Sequence, residues 1–157
     1  MRVVVISDSH RRRDIIEKIL YAQPTAESVV FLGDNAGDIE DFEFLFPKKR
    51  FYIVSGNCDY FSEYPSSDMA VIGGKKIFFT HGHTQGVKGG TGVLLKTAKQ
   101  NGCDIALYGH THIANILYED GIYIVNPGSC ACSRSGSNSY AVIDIEKNGI
   151  MPIIIEI

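Results

Sequence analysis

Apolar residues fall along the chain in short runs of strand length, separated by segments of helical period or by glycine-containing breaks. Residues 2–7, RVVVIS, are a β-branched run that suits a strand covered on both faces. Ile15, Ile16, Ile19 and Leu20 then recur at helix spacing, with Asp14 as the expected helix start. SVVFLG (28–33) repeats the strand pattern. Ile39, Phe42 and Leu45 after Asp38 predict a short second helix, and RFYIVSG (50–56) predicts a third strand. Strand, helix, strand, helix, strand in this order predicts a parallel sheet with right-handed crossovers.

The second half reads differently. In MAVIGGKKIFFTHG (69–82), Gly73-Gly74 separates two strand-like runs and signals a hairpin. Val93, Leu94 and Ala98 predict a helix that stops at Asn101-Gly102. DIALYG (104–109) is another buried strand. Hairpins are predicted around Asp120-Gly121 and Asn148-Gly149, and Pro152 puts the last strand at an edge. A parallel first half followed by a hairpin-rich second half predicts an α/β fold: a four-layer α/β/β/α sandwich of two mixed sheets flanked by helices.

Length and charge narrow the function classes. A chain of 157 residues predicts a single domain over 1–157 that needs no disulfide or metal to hold its core. The net charge of −3 carries no broad basic field, so neither nucleic acid nor an anionic membrane is expected as a partner. MRVVVISDSH has too short an apolar run for a signal peptide, and no segment approaches the roughly 20 apolar residues of a membrane span. A cytoplasmic location is expected, with Cys58, Cys103, Cys130 and Cys132 as free thiols. SCACSRSGSNS (129–139) reads as a loop.

The chemistry sits where the predicted strands end. They run into SDSH (Asp8, His10), GDN (Asp34), GNCD (Asn57, Asp59), HGH (His81, His83) and GHTH (His110, His112), and these clusters hold all five histidines of the chain. Ligand sites of α/β sheets lie beyond the carboxyl ends of their strands. Taken singly, the other clusters read first as a helix cap, a turn or a polar strand end, and only GHTH is more specific. In GHTH the two imidazoles, two residues apart, point to one side; they suit two metal ligands, a proton shuttle or a polar edge. Independent turns give no reason for all the clusters to occur together. Imidazole with carboxylate suits manganese, iron, zinc or nickel. The seven candidates Asp8, His10, Asp34, Asn57, His81, His110 and His112 exceed one coordination shell, which points to two divalent ions, with Asp34 as a candidate bridge. Two ions roughly 3.5–4 Å apart can hold a hydroxide between them and clamp a phosphoryl group.

Asp8-x-His10, Gly33-Asp34, Gly56-Asn57, His81-Gly82-His83 and Gly109-His110-Thr111-His112, in this order, resemble the motifs of the calcineurin-like metallophosphoesterase superfamily. The short chain, GNCD and NPGS (126–129) are similar to the small bacterial and archaeal YfcE-type phosphodiesterases. The resemblance implies the α/β/β/α sandwich. It implies one ion on Asp8, His10, Asp34 and His112, and the other on Asp34, Asn57, His81 and His110. It also implies manganese first, catalytic roles for Asn57 and His83, a small phosphodiester substrate and a homodimer. His83 is expected either to donate a proton or to orient His81. One departure concerns substrate. Many relatives carry histidine after the motif asparagine; Cys58, at that substrate-binding position, is a weaker partner for phosphate. Monoesters should suffer more than activated diesters. Arg134 is a candidate phosphate contact. Arg11-Arg12-Arg13 either attracts an anion or is a solvated helix turn, and Cys130/Cys132 lack a second zinc-ligand pair. Two alternatives stand beside the phosphodiesterase: a phosphomonoesterase of the same superfamily, and a non-catalytic protein-binding module like the retromer scaffold subunit, which has the same fold.

Overall fold

The computed structural model describes residues 1–157. The elements follow one another as β1 (Arg2–Ile6), α1 (Arg13–Ala22), β2 (Ser28–Phe31), α2 (Phe42–Leu45), β3 (Arg50–Ile53), β4 (Ser67–Ile72) and β5 (Lys75–Thr80). Then come α3 (Gly92–Gln100), β6 (Ile105–Leu107), β7 (Asn115–Glu119), β8 (Ile122–Asn126), β9 (Ser139–Glu146) and β10 (Gly149–Glu156). One five-stranded sheet has the order β10-β9-β1-β2-β3, the other β4-β5-β6-β8-β7. The strand pairs β1/β2, β2/β3, β5/β6 and β6/β8 are parallel; the hairpin pairs and β1/β9 are antiparallel. Both sheets are therefore mixed, as the sequence predicts.

The continuous apolar runs split by alternation into two cores. Val3, Val5, Val30, Leu32, Ile77, Phe79, Ile105 and Leu107 meet between the sheets. Val4, Ile6, Val29 and Phe31 face the other way and pack against Ile16, Ile19 and Leu20 of α1 and Phe42 of α2. On the far side, Phe78, Ala106 and Ile124 pack against Leu94, Leu95 and Ala98 of α3. A strand with partners on both faces needs apolar residues at every position. The result is the four-layer α/β/β/α sandwich. No helix is long and apolar enough to cross a membrane, and all four cysteines are free thiols.

Local details depart from the sequence reading. α1 begins at Arg13, and Asp14 lies in its first turn, where both its oxygens take bonds from Arg12. The second helix is only four residues long, preceded by a tight turn at Ala36–Asp38. The last hairpin turns at Lys147-Asn148, because Gly149 already pairs with Glu146. Pro152 sits on β10, an edge strand, as expected.

Phe79 is fully buried between the sheets and packs edge-on against Tyr52, with ring centroids 6.0 Å apart. Phe79→Ala is expected to cost about 3–5 kcal/mol. Urea unfolding should show a lower midpoint with an unchanged slope.

Candidate metal centre

The loops that follow β1, β2, β3, β5 and β6 converge at one end of the sandwich. Asp8 (φ 56°), His10 (44°), Asp34 (59°), His110 (65°) and His112 (60°) all have left-handed backbone. Such conformations are unfavourable for residues with a Cβ and persist only where neighbours enforce them. Asp59 is the strongest of these neighbours. Its Oδ1 accepts the amides of Asn35 and Ala36, both at 2.8 Å, and its Oδ2 those of Asp34 (3.0 Å) and Gly56 (2.7 Å). Asp38 Oδ2 accepts the Arg11 amide and the Ser9 hydroxyl. The NPGS segment ties the remaining loops. Asn126 Nδ2 donates to the Gly109 carbonyl and Thr111 Oγ1, and Ser129 Oγ donates to the Asp8 carbonyl. Gly109 lies so close to Ser7 and Asp8 that a Cβ there would overlap the Ser7 hydroxyl and stand 2.9 Å from Asp8 Oδ2.

These constraints bring all seven candidate ligands together, in two groups. In one, the ligand atoms of Asp8, His10, Asp34 and His112 all lie within 4.8 Å of one another. His112 Nε2 is 3.1 Å from Asp8 Oδ1 and 3.2 Å from His10 Nε2. In the other, His81 Nε2 is 3.1 Å from Asn57 Oδ1, 3.2 Å from His110 Nδ1 and 3.4 Å from Asp34 Oδ1. Asp34 belongs to both.

The hydrogen bonds behind the rings decide which atoms face the centre. His81 Nδ1 donates to the Leu32 carbonyl and His112 Nδ1 to the Cys132 carbonyl, both at 2.8 Å. Each ring thus turns Nε2 inward. Asp8 is fully buried, and its Oδ1 has no donor unless the His112 ring, 3.1 Å away, carries a second proton. A proton on His112 can relieve its contact with Asp8, whose hydrogen bond raises the His112 pKa above the ordinary value. No single proton satisfies the three acceptors around His81 Nε2. Acceptors at hydrogen-bond distance with no donors between them repel; divalent cations turn each contact into a ligand bond. The donor set therefore fits metal ions.

Most of the protonation states agree; His112, whose proton is held by Asp8, must give it up to a metal. Burial, then the charge of His81, drives His110 down to about 4, and burial lowers His83 as well. Burial would raise Asp8, but hydrogen bonds from His112 and Ser7 and the charge of His81 hold it below the usual range. Neutral imidazole and ionised carboxylate are the metal-binding forms.

Other sequence candidates lie around this centre. His83 is half-buried, its ring 5.4 Å from that of His81, and its Nδ1 has no partner. No hydrogen bond joins it to His81, whose Nδ1 is held by the Leu32 carbonyl. Cys58 is exposed. Its amide donates to Asp34 Oδ1, and its thiol is pushed up to about 11 by burial and then by Asp34. Arg134 is exposed, with its amide on the His112 carbonyl and its charge felt by the His112 ring. Arg12 and Arg13 pair with Asp14 and Asp41, which leaves Arg11 without a carboxylate partner. Cys130 is buried in the core beside α1, its thiol raised to about 12, so it forms no thiolate pair with Cys132. Asp59 is visible in the sequence as a strand-end residue and Ser129 as part of NPGS, but the clamping roles of Asp59, Asp38 and Ser129 are not. Asp59 stands in the GNCD turn and Asp38 was assigned to a helix start; nothing local marks either as a loop clamp.

Asp59→Asn removes one carboxylate oxygen from two backbone amides and should weaken divalent-metal affinity about 10–100-fold, read by calorimetric titration. A second expectation concerns metal-free protein. His110 titrates near 4 when folded, against an ordinary 6.5, so only the unfolded chain gains a proton between these values. The stability tied to neutral His110 is complete above pH 6.5 and is lost as pH falls towards 4. His83 adds in the same direction, whereas the raised value of His112 acts above pH 6.5. Thermal melts should show a Tm that drops from pH 6.5 to pH 5, with a shallower drop in His110→Gln.

A model of the calcineurin-like phosphoesterase superfamily domain matches residues 1–148. A probable metallophosphoesterase of Bacillus subtilis, YsnB, is 33% identical over 94% of this chain and 86% of its own length. Phosphodiesterase YfcE of Escherichia coli K12 is 28% identical over 98% of this chain and 91% of its own. Among solved structures, a conserved Streptococcus pneumoniae protein described as a predicted phosphoesterase superposes with a TM-score of 0.85 at 26% identity, covering 99% of this chain and 88% of that one. With its motifs at the strand ends of the same two-sheet fold, the chain belongs to the calcineurin-like phosphoesterase superfamily.

Proposed function

We propose that the chain is a metal-dependent phosphoric ester hydrolase, a phosphodiesterase that works with two divalent ions. The observation that carries this reading is the pair of imidazole–carboxylate groups that share Asp34. Asp8, His10, Asp34 and His112 would hold one ion, and Asp34, Asn57, His81 and His110 the other. Manganese is the ion proposed, and nickel, iron and zinc suit the same donors. When bound, such ions polarise phosphoryl oxygens and acidify a water, which supplies the nucleophile.

The chain's own groups then set which ester is cleaved. The fixed Nδ1 bonds of His81 and His112 keep the centre rigid before substrate arrives. Arg134, whose amide bonds the His112 carbonyl, is the proposed contact for a phosphate oxygen. Asn57 is exposed at the mouth of the site, where its side chain can also contact phosphate. Protonation of the leaving group is weakly provided for. The Cys58 thiol holds its proton up to about pH 11, and burial favours the neutral form of His83. Neither offers the imidazolium that a poor leaving group needs. A monoanionic diester with a good leaving group suits this arrangement better than a dianionic monoester. The YfcE relative, named a phosphodiesterase, supports the same ester class.

The test uses metal-stripped protein with and without manganese, on an activated aryl diester and the matching monoester. Manganese-dependent cleavage that favours the diester is expected. Cys58→His should raise kcat/KM for the monoester about tenfold or more with little change for the diester. Wild-type preference for the monoester would overturn the role given to Cys58 while leaving the metals. Absence of turnover with any divalent ion, in folded protein, would replace the enzyme by a protein-binding platform.

A further inference from the structure

The loop that carries Asn57 and Asp59 continues directly into two aromatic residues that the fold leaves uncovered. Tyr60 is 85% exposed and Phe61 is 101% exposed. Single apolar residues on a surface are ordinary. These two are adjacent, and they line a groove of about 310 Å³ together with Gly37, Glu40, Cys58 and Ser62. The groove opens beside the metal centre, because Cys58 belongs to both: its amide donates to Asp34 Oδ1, and it is one of the lining residues.

Charge separates this groove from the other side of the centre. Its ionisable carboxylates are Glu40 and Asp59, and it contains no lysine or arginine. Arg134 instead lies by His112, and the unpaired Arg11 follows His10. A second phosphate or a carboxylate on the substrate would be repelled from the groove. A flat uncharged ring would not be, and two exposed aromatic faces give it a surface to stack on. The volume lies at the small end of ligand sites, enough for one ring system rather than a polymer. Three larger clefts, one of about 390 Å³ and two of about 360 Å³, are lined from other parts of the surface and share no residue with the metal centre.

We propose that Tyr60 and Phe61 form a stacking subsite for an aromatic substituent of the phosphodiester. This rests on the phosphodiesterase reading for the orientation of the phosphate. In this arrangement the phosphate lies over the metal ligands and the ring extends past Cys58 onto Phe61. Discrimination between esters then comes from the uncharged substituent, with Glu40 and Asp59 excluding acidic ones.

The test is a binding measurement that does not require turnover. Diphenylphosphinate and dimethylphosphinate carry the single charge of a diester but have P–C bonds in place of P–O bonds. Calorimetric titration into manganese-loaded protein should give about tenfold tighter binding of the diphenyl compound. Phe61→Ala, at a side chain that packs on nothing in the fold, and Tyr60→Ala should each remove most of that preference. Affinity for dimethylphosphinate should stay unchanged in both. Equal binding of the two phosphinates by wild-type protein would overturn the subsite. So would a preference that survives both substitutions, binding of neither compound, or a shift from dimer to monomer in Phe61→Ala, which would make the pair a contact between copies. Aryl selectivity in binding without cleavage of any diester would leave the subsite and remove only the reaction.

Discussion

The dry contact between the two sheets is the constraint on which the rest depends. Val3, Val5, Val30 and Leu32 of one inner face meet Ile77, Phe79, Ile105 and Leu107 of the other, and side chains at this spacing leave the sheets about 10 Å apart. The residues just beyond the strands inherit that spacing. An imidazole and a carboxylate span it together, so His81 reaches the Leu32 carbonyl and the His110 amide reaches Asp8 Oδ2 across the gap. A slip of one residue in β1 or β6 would turn these groups to the opposite face. The ligand geometry is thus a by-product of a hydrophobic register, and the apolar runs are its first determinant.

The centre is costly to the metal-free fold. Five ligand residues hold left-handed backbone, Asp8 Oδ1 is buried with no donor but a doubly protonated His112, and imidazole nitrogens face one another at 3.2 Å. What offsets this is a set of ordinary hydrogen bonds one layer out. Asp59 gathers four amides, Ser129 holds the Asp8 carbonyl, and Asn126 holds the GHTH loop. Strain of this kind is concentrated where a ligand will relieve it.

Much of this was legible in the chain, for identifiable reasons. The central strands showed as unbroken apolar runs because both of their faces are covered. The ligands showed because each follows such a run and because no histidine lies elsewhere. Local signals failed where a distant residue takes over the backbone. Asp38 reads as a helix start, yet its carboxylate holds Ser9 and Arg11. The tight turn before the short second helix is likewise held from afar, since amides 34–36 go to Asp59, some two dozen positions later. Asp14 reads as a cap, and Arg12 claims it first. The bareness of Tyr60 and Phe61 is equally invisible in sequence, since aromatic residues after a turn are as often core as surface.

The strand order of the first sheet also bears on how the protein is made. β1 lies in the middle of its sheet, yet one of its two neighbours is β9, whose partner β10 is the last strand of the chain. On the ribosome, β1, β2 and β3 emerge early with one flank of β1 open. Asp8 is in place by then, but the Ser129 hydroxyl that fixes its carbonyl is not, nor is the rest of the segment leading into β9. Such long-range pairing slows folding and holds the sheet open until β9 has been made. The nascent chain therefore carries its first metal ligands on an unfinished sheet, and the centre is braced only once β9 has joined β1.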